Sequence, residues 1–270
     1  MEPLNRVYNG LRGFVDEFAN STTGSNSSPR KMEAGWTKME NRKAWYAEWD
    51  DNYMGDLLNN YLIKSILRKI ADCYYGKQLE ELLDVATELT AESYPMLCKS
   101  YSECCSTLGM YNQPQAYVTG KMKGINALSL EVKGKQLILI SPKVAICLPP
   151  DEQAFLLGHE ISHHQQGNLV CHTVNGLIDN FNNASAIFGP LVLDAIEVPL
   201  KRWCRCSEFN ADRAGYICCK EVNPITRLFK RFDMENSMSA YADYKEVGFA
   251  HPMFYTRYRV LKEFIQQSNI

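Results

Sequence analysis

Residues 158–168 read GHEISHHQQGN and place three of the chain's five histidines within six positions. The preceding LPPDEQAFLL has apolar residues at helical intervals and acids at its start, so the stretch reads as the second half of a helix. Pro149 and Pro150 stop the segment before it, and Asp151 reads as the N-cap. On a helix, His159 and His163 lie one turn apart on the same side, where two imidazoles suit one Zn²⁺. Glu160 follows the first of them, within reach of a water on that ion, which is the general-base position of a metal-dependent hydrolase. His164 points about a hundred degrees away from His163 and cannot share that side. It reads as a surface or helix-C-terminal histidine, favoured there by the helix dipole.

HExxH requires a third ligand, and a catalytic site keeps its fourth position open. SEFNADRA, residues 207–214, supplies the candidate on a second helical stretch. Glu208 would complete a His, His, Glu set, and Asp212, one turn on, is placed to hold a ligand histidine in one tautomer. The alternative for Glu208 and Asp212 is a solvated acidic face. His172 reads as a loop or packing residue. His251 sits in FAHPMFYTRYRVL, where His-Pro starts a helix and Arg257 follows in its second turn. It is either a helix-start residue or an imidazole that donates to the oxyanion of a tetrahedral intermediate.

Outward from this centre, PQAYVTG, NALSLEV and KQLILIS are short segments rich in β-branched and apolar residues with Gly and Lys between them. They predict a strand meander. From Asp56 to Thr90 apolar residues recur at helical spacing (Leu58, Leu62, Ile66, Ile70, then Leu79, Leu82, Leu83, Ala86, Leu89), and Tyr75-Gly76 predicts a break between two helices. A first amphipathic segment around Leu11, Phe14, Val15 and Phe18 precedes a linker, NSTTGSNSSPR, at 20–30, and an aromatic-rich stretch follows at 34–54. After Cys171 the chain reads as helices broken near Gly189-Pro190, Asn223-Pro224 and His251-Pro252. The division expected is an N-terminal helical region, residues 1–110, and a second domain, residues 111–270.

The bulk properties exclude several classes. A net charge of −2 argues against nucleic-acid binding and against a polybasic membrane surface. The first twenty residues lack the apolar run of a signal peptide. The most apolar later stretch, AIFGPLVLDAIEVPL at 186–200, is too short to span a bilayer and carries Asp194 and Glu197. Ten cysteines without a leader segment read as reduced thiols filling apolar space, and the expected location is cytoplasmic.

In combination these residues resemble the zinc metallopeptidase family of the HtpX heat-shock protease and the CaaX prenyl protease, among the gluzincins. The resemblance runs from about Gln113 to Lys262, through the strand region, DEQAFLLGHEISHHQQGN, SEFNADRAG and HPMFYTR. It implies an α+β, mainly helical, zincin-like fold with a small β-sheet beside the active-site helix. It further implies one Zn²⁺ on His159, His163 and Glu208, with Glu160 as catalytic base. Asp212 would lie behind the ligands, His251 would contact the transition state or substrate, and Arg257 would be a structural partner. Asn126 and Ala127 fall on the strand along which a peptide would pair. The chain departs from those relatives in having no qualifying transmembrane segment, so a membrane-embedded or prenylated substrate is not implied. The N-terminal region matches nothing in the family; covering the cleft, docking a partner and holding the enzyme latent are all open to it.

The expected activity is that of a zinc-dependent endopeptidase acting on peptide or unfolded-protein substrates through a Glu160-activated, zinc-bound water. The competing expectation is a zinc-binding scaffold or interaction protein of the same fold with little or no turnover. Glu160 separates them, because a purely structural site has no use for a base beside its ligand.

Overall fold

A computed structural model describes residues 61–167, 169–180, 190–235 and 254–268. The first amphipathic segment, the linker, the aromatic-rich stretch and His251 lie outside the described residues. In chain order the elements are α1 (Tyr61–Leu83), β1 (Ala86–Glu88), α2 (Pro95–Thr107), β2 (Gln115–Thr119), β3 (Ala127–Val132) and β4 (Lys135–Ile140). There follow α3 (Pro142–Cys147), α4 (Pro150–Gln165), α5 (Leu169–Asn180), α6 (Pro190–Cys219), α7 (Val222–Glu235) and α8 (Phe254–Ser268). The architecture is α+β and mostly helical with one small mixed sheet, a zincin-like fold.

The four strands lie in the order β1-β2-β4-β3. β3 and β4 form an antiparallel hairpin whose two-residue turn, Lys133-Gly134, has φ of 51° and 69°. Both values are positive, as a tight turn matching the strand twist requires. β2 then pairs parallel to β4, with Ala116 opposite Ile138. The expected meander is therefore a crossover, because the chain passes over β4 before returning to it. The apolar run of β4 explains the placement: Leu137 and Leu139 enter a cluster with Leu79, Leu130 and Val132. Ile138 and Ile140 enter the main core with Phe155, Leu157 and Ile161. A strand buried on both faces belongs inside a sheet, and β4 has a neighbour on each side.

The helix ends differ from expectation at three places. α1 runs unbroken through Tyr75-Gly76. The hairpin lysine crosses there: a Cβ on Gly76 would lie 2.7 Å from Lys133 Cε, near the end of a flexible side chain that can move aside. Ala86 belongs to β1 instead of a helix, since pairing with Thr119 of β2 overrides local propensity. Pro149 is the N-cap residue of α4 and Pro150 its first helical residue, so Asp151 lies in the first turn. There its carboxylate binds Arg227 Nη2 at 2.9 Å. The break expected near Asn223-Pro224 falls at Lys220-Glu221, and Pro224 lies in the first turn of α7, where a missing N–H costs nothing.

α4 is the centre of the molecule and is buried along most of its length. Its burial is unusual because so much of it is polar: Glu152, Gln153, His159, Glu160, Ser162, His163 and Gln165 are all under a tenth exposed. Buried polar groups need partners. Gln153 Nε2 donates to Leu148 O at 3.0 Å, Gln165 Nε2 to Leu108 O at 2.6 Å, and Glu152 Oε1 accepts from Arg227 Nε at 2.7 Å. α4 crosses α6 with the backbones nearly touching. A Cβ on Gly158 would sit 3.1 Å from Gly215 Cα, and one on Gly215 would sit 2.6 Å from the main-chain oxygen of Phe155. A methyl group at 215 meets fixed backbone, so Gly215→Ala is expected to destabilise by about 1–3 kcal/mol. Urea unfolding checks this, and an unchanged midpoint would show that the helices separate freely.

Candidate metal centre

Three side chains converge where α4 meets α6. His159 Nε2 and His163 Nε2 are 3.2 Å apart. Glu208 places Oε2 3.5 Å from His159 Nε2 and Oε1 3.5 Å from His163 Nε2. These are the groups that the sequence places on two separate helical stretches. Among the described residues they form the one group of three metal-ligating side chains, with donor atoms within 4.8 Å of one another. Donors held at about 2.0–2.1 Å around a tetrahedral ion lie about 3.3 Å apart. The observed separations fit that pattern, and two nitrogens with one carboxylate are the donor set of a catalytic zinc site.

The outer nitrogens of both imidazoles are engaged. His159 Nδ1 lies 3.1 Å from Asp212 Oδ1, and a proton there leaves Nε2 free to ligate. Asp212 is in turn gripped by Arg257, whose Nε and Nη2 donate to its two oxygens at 2.8 and 2.6 Å. Nη1 of the same guanidinium lies 3.3 Å from Glu208. Arg257 Nη2 also lies 3.4 Å from His159 Nδ1. With the proton on Nδ1 both of those nitrogens are donors, so that approach is a contact only. The rings of Phe229 and Phe254 flank the guanidinium at 5.3 and 5.4 Å. On the other ligand, His163 Nδ1 lies 3.3 Å from Ser207 Oγ.

Charge in this pocket is tightly balanced. Burial pushes the His159 ring towards neutrality, but the Asp212 hydrogen bond and the Glu208 charge outweigh it and hold its pKa above the usual value. Burial pushes the Glu160 carboxyl up, against the opposing pull of His159 and Ser129. Glu160 is 6% exposed, and its main-chain oxygen accepts from Ser129 Oγ of β3 at 2.9 Å. That bond ties the edge strand to the helix carrying HExxH.

The remaining sequence-derived candidates fall as follows. Asn126 is exposed just before β3, and Ala127 opens the strand. The main chain of Asn126 pairs with Ser141, through Asn126 N to Ser141 Oγ and Ser141 N to Asn126 O. Alternation along the hairpin then turns the amides of Ala127, Ser129 and Glu131 away from β4. The Glu131 amide confirms the alternation by donating to Thr173 Oγ1 of α5 at 3.1 Å. His164 is half-buried in the last turn of α4, so it is the helix-C-terminal histidine of the two alternatives; burial lowers its pKa to about 4, and its Nε2 has no hydrogen-bond partner among the described residues. His172 lies on helix α5, not in a loop, with Nε2 2.8 Å from Ser207 Oγ. Sequence reasoning passes over Ser207 and the glycine pair. The available signals are the adjacency of Ser207 to Glu208 and a glycine directly before HExxH.

A zincin-like fold with a buried His-His-Glu group defines a metallopeptidase. Residues 95–265 match the family model for peptidase family M48, over more than half of the chain, and the chain belongs to that zinc-dependent family. No curated protein matches it. None of the ten cysteines is in a disulfide. Among the described residues no helix is long and apolar enough to cross a membrane.

Proposed function

We propose that the chain is a zinc-dependent endopeptidase, allied within its family to the HtpX and CaaX branch but acting in the cytoplasm on peptide or unfolded-protein substrates. The observation that carries this reading is the convergence of His159, His163 and Glu208 with Glu160 one residue from the first ligand. His159, His163 and Glu208 would hold one Zn²⁺. When bound, the ion supplies Lewis acidity, making water nucleophilic near neutral pH and polarising the scissile carbonyl. Glu160 accepts the proton of the attacking water and returns it to the leaving nitrogen. Asp212 and Arg257 keep the His159 ring in one tautomer and one orientation. His251 is proposed as the donor to the oxyanion. The substrate's main chain is proposed to pair at the Asn126–Ala127 end of β3, since the edge beyond it packs on α4 and α5. The part of residues 1–110 that precedes the family match is proposed to cover the cleft or dock a partner.

Metal analysis and proteolysis of an unfolded protein together test the reading. The purified chain is expected to hold about one zinc, to lose cleavage on treatment with a chelator, and to regain it on adding zinc back. A chain fully loaded with zinc that cleaves no member of a broad unfolded-protein panel would support the scaffold alternative instead.

A further inference from the structure

The two ligand histidines are supported differently, and the second support is where the structure goes beyond the site already described. His159 is backed by a carboxylate and a guanidinium. His163 is backed by a hydroxyl and a third imidazole. We propose that Ser207 and His172 act in series as a positioning relay that fixes the tautomer of His163 for zinc binding. The proposal rests on the reading of His163 as a zinc ligand.

The ligand role of His163 sets the first step of the relay. His163 can present Nε2 to a metal only if its proton sits on Nδ1, which then donates to Ser207 Oγ at 3.3 Å. The Ser207 hydroxyl is left with one hydrogen of its own. His172 Nε2, 2.8 Å from the same oxygen, is the acceptor in line for it. In this relay the hydrogen bonds run from His163 Nδ1 to Ser207 Oγ and from Ser207 Oγ to His172 Nε2. Donation by the hydroxyl polarises its oxygen and strengthens it as an acceptor for the ligand's N–H.

Packing holds the parts in place. Ser207 is 2% exposed, on the turn of α6 that carries Glu208. The His172 ring lies 4.3 Å from the His163 ring and 5.1 Å from that of Trp203, which is itself buried. One helix thus supplies a ligand, Glu208, and the orienting hydroxyl for another ligand from its neighbouring residue. α5 supplies the acceptor at the end.

The test uses the 270-residue chain, with zinc affinity measured by chelator competition and folding of the metal-free protein checked by circular dichroism. His172→Phe keeps a ring against Trp203 and removes the acceptor; Ser207→Ala removes the bridge; Ser207→Thr keeps a hydroxyl. Each of the first two is expected to raise the zinc Kd about 10- to 100-fold. The double variant should be no weaker than Ser207→Ala alone, because residues acting in series are not additive. Ser207→Thr should restore most of the affinity. Wild-type affinity in His172→Phe, or fully additive losses in the double variant, would overturn the relay while leaving the zinc site standing. A wild-type chain that takes up no zinc would overturn the reading of the site and the relay with it.

Discussion

Glu160→Gln is expected to lower kcat/KM for peptide hydrolysis by about 10²- to 10⁴-fold while leaving zinc content unchanged. Glutamine has nearly the shape of glutamate, so the packing around this 6%-exposed side chain survives the change. What it loses is the ability to accept a proton. The surroundings of Glu160 suit it to proton transfer. In the metal-free chain burial pushes its pKa up, the direction that suits a carboxylate to exchanging protons. The donor set of His159, His163 and Glu208 is untouched by the substitution. Loss of activity with retained metal therefore isolates the base from the ligands. A zinc-loaded Glu160→Gln variant that hydrolyses a fluorogenic peptide as fast as the wild type would rule out this mechanism.

Removing the guanidinium of Arg257 should have the largest effect on stability. Arg257→Met keeps much of the apolar stem but leaves Asp212, 1% exposed, without its two-pronged partner, and takes a cation from beside Glu208. Breaking a buried pair on one side costs about 3–5 kcal/mol, because the charge left behind is unsolvated and keeps only the His159 ring as a partner. Arg257→Lys should recover only part of this, since an ammonium cannot reproduce the planar fork. The Arg257→Met variant should also respond differently to acid. Burial alone would raise the Asp212 pKa, but Arg257 and His159 override it and hold the carboxyl below its usual range. A depressed carboxylate pKa stabilises the fold above the unfolded value of about 3.9, and that stability is lost as pH falls through the folded value. Without Arg257 the folded pKa rises, so acid unfolding of the metal-free protein should begin at higher pH. Thermal melts across an acid series measure both effects, and a midpoint independent of the substitution would show that Arg257 carries no such role.

Legibility from sequence follows the range of the contacts. HExxH and Glu208-x-x-x-Asp212 are readable because each is a local spacing on one helix, fixed by 3.6 residues per turn. The strands of the sheet are readable from composition, but their order is not. The parallel pairing of β2 with β4 depends on which strand is buried on both faces, and no turn signal encodes that. Gly76 reads as a break because glycine usually punctuates helices, yet α1 continues through it, packed beneath the distant hairpin. His172 and Ser207 escape for the same reason. They are 35 residues apart and meet only because α5 and α6 pack together. The cluster of Arg257, Asp212 and His159 brings together groups from three helices, yet the family resemblance anticipates it, because resemblance carries long-range information that spacing does not.

The bare crossing of α4 and α6 also acts as a gauge. Glu208 lies two turns from Gly215, a lever of about 10 Å at 1.5 Å per residue. A tilt of about 5° at the crossing would therefore swing the carboxylate by about 1 Å, several times the roughly 0.2 Å that a metal–ligand distance tolerates. The spacing of the donors is thus calibrated by two methyl groups that are not there, and a mutation at the fulcrum would detune the centre without touching any of its atoms.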